Sequence, residues 1–125
     1  MKLNSPWYEL VRDGKKIYEG RRRMPYTEKY KVGDVIEFSH YTDDTLPTFL
    51  CQIDAILYYQ TFEDALNVLP INDVLPIEDI TIEKGVEIYK RFVSLPTQLK
   101  YGIVMFNVSR NAPENFSKQQ LNHIS

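Results

Sequence analysis

Thr48-Phe49-Leu50-Cys51-Gln52-Ile53-Asp54-Ala55-Ile56-Leu57 decides how the chain folds. Phe49, Cys51, Ile53, Ala55 and Leu57 fall on one face, and Thr48, Gln52 and Asp54 on the other. That two-residue period belongs to a half-buried strand. On its N-terminal side, Lys31-Val32-Gly33-Asp34 carries a turn signal. Val35-Ile36-Glu37-Phe38 follows as a second strand with Ile36 and Phe38 inward. On its C-terminal side, Gly102 through Val108 is apolar on both faces, as in a central, covered strand. Cys51 lies on the apolar face, so it reads as a buried, inert thiol rather than a nucleophile.

Helical signals lie between and before these strands. Thr61 is placed to cap a short helix with acids in its first turn. Pro70 and Pro76 bracket a short helical or irregular link. Asp79 or Thr81 caps a further helix in which Ile82, Val86, Tyr89 and Val93 form one apolar stripe, read first as core. Leu95-Pro96 is expected to end it. Near the N-terminus, Ser5-Pro6 opens a helix over residues 6–13, with Ser5 as its cap; Trp7, Leu10 and Val11 share a face, and Asp13-Gly14 closes it. Residues 15–23 then read as extended, with Ile17 and Glu19 pointing one way and Lys16, Tyr18 and Gly20 the other. This order predicts an α+β fold, a small mixed β-barrel with flanking helices. The domain is expected over residues 1–109, with 110–125 a polar, loosely attached C-terminal tail.

The totals narrow the function classes. The 125 residues suit one domain, and no apolar run approaches a membrane span. No secretory leader is read at the N-terminus, and one cysteine cannot form an internal disulfide. A cytoplasmic protein is therefore expected, without metal or cofactor. The net charge of −2 is unevenly spread. Residues 1–31 hold nine Lys/Arg and four Asp/Glu, net +5, and the remainder holds six and thirteen, net −7. A clustered positive charge suits an anionic partner.

The centre of that charge is Gly14-Lys15-Lys16-Ile17-Tyr18-Glu19-Gly20-Arg21-Arg22-Arg23. Lys16 and Glu19 would point apart on a straight strand, so a shared cleft needs a bend, for which Gly14 and Gly20 are suited. In such a cleft Glu19 would hold Lys16 charged, or desolvation would lower the Lys16 pKa and make it a base or nucleophile. Arg21, Arg22 and Arg23 are suited to phosphates, and Tyr18, Tyr26 and Tyr41 to stacking, a combination that fits single-stranded nucleic acid.

Gly14-x-Lys16-x-x-Glu19-x-Arg21, followed by Lys31-Val32-Gly33-Asp34-Val35-Ile36-Glu37-Phe38, resembles the ASCH domain family, a branch of the PUA-like superfamily. Tyr59 through Leu66, Glu83 through Phe92 and Tyr101 through Val104 are similar to that family's later segments, in order. The resemblance covers about residues 6–108 and implies a PUA-like barrel whose cleft, lined by the Gly-x-Lys-x-x-Glu segment, takes RNA or a nucleotide. Together with the arginines and tyrosines above, this gives Lys16, Tyr18, Glu19, Arg21, Arg23 and Tyr41 as the expected ligand contacts. Some members are small amidohydrolases of acetylated cytidine, and one type is described as a ribonuclease. The amidohydrolases use a lysine, a threonine and a glutamate. Lys16 matches the lysine, Glu19 stands at the threonine position, and Glu78 corresponds loosely to the glutamate. If the chain is an enzyme, these three are its catalytic candidates. A carboxylate cannot replace an acyl-accepting hydroxyl without changing the mechanism, which moves the expectation toward binding. The expected partner is RNA, a nucleotide or a nucleoside, not a membrane. A protein partner along the acidic stretch Glu63 through Glu87 is the further alternative.

Overall fold

The computed structural model describes residues 1–110, so the expectation for the C-terminal tail falls almost wholly outside the described residues. The strands are β1 (Lys2–Leu3), β2 (Tyr18–Arg22), β3 (Val35–His40), β4 (Phe49–Tyr59) and β5 (Ile103–Ser109). They form one sheet in the order β1-β3-β4-β5-β2, with β1 parallel to β3 and all other pairs antiparallel. The helices are α1 (Trp7–Arg12), α2 (Phe62–Leu66), α3 (Ile71–Val74), α4 (Ile82–Phe92) and α5 (Leu95–Tyr101). The expected α+β architecture is therefore present: a mixed five-stranded half-barrel with flanking helices. Among the described residues, no helix is long and apolar enough to cross a membrane.

Two cores lie on the two faces of the sheet. Phe38, Phe49, Cys51, Ile53, Val104 and Phe106 pack inside the curled sheet with Tyr8 and Val11 of α1. Ile103 and Met105 point outward, where Phe62, Leu66, Leu75 and Tyr89 of the helical layer cover them. This is why β5 is apolar on both faces. β4 departs from simple alternation. Its pairing with β5 shifts between Ile53 and Ala55, a bulge at Asp54. Beyond it Ile56 packs against the inner core and Leu57 against the outer one. The expectation that Ala55 and Leu57 continue the Phe49–Ile53 face is corrected, because one extra residue exchanges the two faces.

The helix boundaries hold with three corrections. Thr61 and Thr81 cap α2 and α4 through their hydroxyls, at 3.1 Å to the Asp64 amide and 3.2 Å to the Lys84 amide. Asp79 is not the cap; its carbonyl accepts the Lys84 ammonium. Ser5 does not cap α1, because its hydroxyl donates to the Glu9 carboxylate at 2.5 Å. Leu95-Pro96 does not end a helix but begins α5, which Ser94 caps. Gln98 ties α5 to the rest, accepting from the Phe62 amide and donating to the Val93 carbonyl, each at 2.9 Å.

Candidate functional site

The half-barrel leaves a seam between its two edge strands, β1 and β2. Edge strands present unpaired backbone groups, which a fold must satisfy or cover. Arg21 reaches across this seam and donates from Nη2 to the Lys2 carbonyl at 2.7 Å. A cavity of about 590 Å³ opens here, between β2, the N-terminal segment and the C-terminal half of α4.

Lys16 is not part of the strand, which corrects the expectation that residues 15–23 are extended throughout. After α1, Gly14 takes a φ of +76°, and the Lys15 and Lys16 amides both return to the Leu10 carbonyl. That tight turn sets Lys16 outside the β2 alternation, so it enters the cavity beside Glu19. Its ammonium donates to the Tyr18 carbonyl at 2.7 Å and the Val74 carbonyl at 2.5 Å, and lies 5.6 Å from the Trp7 ring centre. An ammonium has three donors, so two are spent on backbone and one remains. Lys16 is 2% exposed. Burial lowers its pKa to about 8; Glu19 opposes this shift and Arg21 adds to it.

Glu19 and Arg21 lie two residues apart on the inner face of β2, opposite Phe106 and Val104. The Glu19 carboxylate, 6% exposed, pairs with Arg21 at 3.1 Å. Its ion pair is thus with Arg21, not with Lys16. Burial works against the Arg21 charge, but Glu19 and Tyr26 outweigh it and raise the Arg21 pKa. Between the two, Gly20 faces outward with no room for a side chain: a Cβ there would lie 2.7 Å from Phe62 Cε1 and 2.9 Å from Met105 Sδ. Phe62 stacks on Tyr89 with centroids 3.9 Å apart, so the absent side chain lets this aromatic pair close on the strand. The Tyr89 hydroxyl is buried without a hydrogen-bond partner among the described residues, and burial raises its pKa.

Of the ligand contacts expected from sequence, the cavity gathers Lys16, Glu19, Arg21 and Tyr41. Tyr18 does not line it; its ring packs against the outer core and its carbonyl serves Lys16. Arg23 does not line it either, being paired with Glu28 at 2.7 Å and set over the Tyr58 ring. Glu78 is exposed and lies outside the cavity, so the three catalytic candidates are not brought together. Arg22, read from sequence as suited to a phosphate, lines the cavity as well, while sequence reasoning passes over Trp7, Phe62 and Tyr89 as lining residues. Their apolar character announces burial, and nothing in it announces a cavity. Among the described residues, no cluster of three or more His, Cys, Asp or Glu is placed to hold a metal.

Comparison with known proteins agrees with this architecture. The crystal structure of hypothetical protein PH0355 is 30% identical, with a TM-score of 0.75 over 87% of this chain and 94% of that one. The solution structure of protein PF0455 from Pyrococcus furiosus is 28% identical, with a TM-score of 0.64 over 93% of this chain and all of that one. No curated protein matches the chain. The family model of the ASCH domain matches residues 1–109, the described domain almost entire, and the chain belongs to the ASCH domain family.

Proposed function

We propose that the seam cavity binds one nucleotide of a single-stranded RNA. The observation that carries this reading is the set of buried polar groups facing one cavity. Lys16 has a spare donor, Glu19 has a carboxylate oxygen beyond its Arg21 contact, and the Tyr89 hydroxyl has no partner among the described residues. Buried groups of this kind are costly unless something completes their hydrogen bonds. The volume of about 590 Å³ suits a nucleotide-sized ligand.

The charges suggest its orientation. The lining holds Lys2, Lys16, Arg21 and Arg22 against one carboxylate, Glu19, a net +3 that favours an anion. A carboxylate at the floor disfavours a phosphate there and instead accepts from an exocyclic amine, as carboxylates do with cytosine. Lys16 and the Tyr89 hydroxyl donate to a base carbonyl, while Arg22 and Lys2 take phosphates. Trp7 and Tyr89 exclude water.

Titration of a labelled RNA hexamer tests this reading. Binding should weaken as salt rises, and Lys16→Met should reduce affinity about 10-fold or more, as expected for a charged hydrogen bond. Tyr89→Phe should cost about 2- to 10-fold. Salt-independent binding, or affinity unchanged in both variants, would overturn it.

One observation favours a hydrolase as the second reading: a Lys16 pKa near 8 leaves about a tenth of the side chain neutral at pH 7. Against it, Glu78 lies outside the cavity that holds Lys16 and Glu19, so the three catalytic candidates do not meet. Release of product from acylated cytidine or RNA oligomers that disappears in Lys16→Met would decide for the enzyme.

A further inference from the structure

A second concave surface adjoins the seam. It is a groove of about 300 Å³ where the end of β4, the end of α5 and the residue after β2 meet. Two tyrosines stand in it with their rings in solvent, Tyr58 at 46% exposure and Tyr101 at 47%. Aromatic rings open at the rim of a groove offer flat faces on which a base can stack. Each is flanked by cations. The Arg23 guanidinium lies 4.4 Å from the Tyr58 ring centre. The Arg22 guanidinium lies 5.0 Å, and the Lys100 ammonium 5.2 Å, from that of Tyr101. Among the described residues, no Asp or Glu lines the groove, although Glu28 pairs with Arg23 at its border. That pair is exposed on both sides and offers little resistance to a competing phosphate.

Arg22 carries the argument further, because it lines the seam cavity while its guanidinium sits on Tyr101 of the groove. The two surfaces therefore share one cation. Arg22 and Arg23 are consecutive, so one short stretch of backbone sets a cation over each tyrosine.

We propose that this groove holds the nucleotides next to the one in the seam cavity, with bases stacked on Tyr58 and Tyr101 and the connecting phosphates on Arg22 and Lys100. The proposal rests on the seam reading above and extends it from a nucleotide pocket to a track for single-stranded RNA. Exposed aromatics interleaved with arginine and lysine bind single strands through base stacking and phosphate contacts, without needing a fixed sequence. A protein partner would be expected to meet a drier, less charged patch.

The experiment compares a labelled mononucleotide with a labelled RNA hexamer on the full chain, by anisotropy at low salt. Wild type should bind the hexamer more tightly than the mononucleotide. Tyr58→Ala and Tyr101→Ala should each weaken the hexamer about 5- to 100-fold; Tyr58→Ala, whose ring meets Arg23 and not the shared Arg22, should leave the mononucleotide unchanged. Both tyrosines are exposed, so circular dichroism should show both variants folded. If the hexamer is unaffected by either tyrosine while Lys16→Met still weakens it, the groove proposal fails and the seam reading stands. If mononucleotide and hexamer weaken together in Tyr58→Ala, the groove is not a separate subsite and the proposal fails. If wild type binds neither, both readings fail.

Discussion

Lys16 offers a test of the site that needs no ligand. Its folded pKa is about 8 against 10.5 for an unperturbed lysine, chiefly because it is buried. Between these values the unfolded chain keeps a proton that the folded chain has released. The unfolded state then binds more protons, so stability rises with pH across that window. At 1.36 kcal/mol per unit, the gain between pH 7 and pH 10 is about 2–3 kcal/mol. Buried acids pull the other way. Tyr30 and Cys51 are both pushed up to about 12 by burial and Tyr89 is also raised, so each loses stability as pH passes its unfolded value. These contributions are common to wild type and Lys16→Met and cancel in their difference. The substitution also leaves the Tyr18 and Val74 carbonyls without a donor, an offset that does not depend on pH. The assay is urea unfolding followed by the fluorescence of the single tryptophan, Trp7, at pH 7, 8, 9 and 10. The stability of wild type relative to Lys16→Met should rise by about 2–3 kcal/mol, or roughly 1–2 M in the difference between midpoints. A difference that stays level, or falls, would mean that Lys16 is solvated and that the buried-cation account of the site is wrong.

Three further outcomes follow from the same geometry. Gly20→Ala places a methyl group against Phe62 and Met105 and should cost about 1–3 kcal/mol in a thermal melt; an unchanged melt would show that the aromatic pair does not close on β2. Arg21→Leu leaves the buried Glu19 carboxylate without its ion pair and should cost about 3–5 kcal/mol, while adding Glu19→Leu should recover most of the loss; equal stability of the single and double variants would refute the pairing. Cys51, buried with its pKa pushed up to about 12, should react with a thiol reagent no faster than the protein unfolds, and faster labelling of the native state would contradict its burial.

Every strand but the two-residue β1, and most helix starts, are legible because local pattern decides them. Thr61 is read correctly from residue type and position alone, and Thr81 is one of the two caps that the sequence offers for α4. The errors have physical causes. Ala55, Ile56 and Leu57 are all apolar, so the segment fits either face of a sheet and its period cannot reveal the bulge at Asp54. α5 was missed although Ser94 before Leu95-Pro96 is a helix-start signal of the kind read at Ser5-Pro6. At residues 94–96 the signal was present and the hydroxyl caps; at residues 5–6 it was read and Ser5 turns to Glu9 instead. The cavity was only half legible. Lys16, Glu19 and Arg21 announce themselves by charge in one short stretch, but Tyr89 lies some seventy residues away on an apolar stripe. Whether such a stripe meets solid core or a cavity is set by tertiary packing.

The seam unites two demands that are usually separate. An edge strand needs donors for its free carbonyls, and a nucleotide site needs fixed cations. Lys16 meets the first demand by joining the Val74 carbonyl of α3 to the Tyr18 carbonyl of β2, and Arg21 by joining the Lys2 carbonyl of β1 to Glu19 of β2. Each cation is thus a structural clasp with donors to spare, and replacing either should disturb stability and binding together. Tyr89 breaks this coupling. Its hydroxyl has no partner among the described residues, so Tyr89→Phe removes a buried polar atom without orphaning another. The variant should be at least as stable as wild type, by up to about 1 kcal/mol, and yet bind RNA less well. Loss of stability in Tyr89→Phe would show that the hydroxyl is already satisfied within the protein, and would remove the strongest sign that the cavity awaits a hydrogen-bonding ligand.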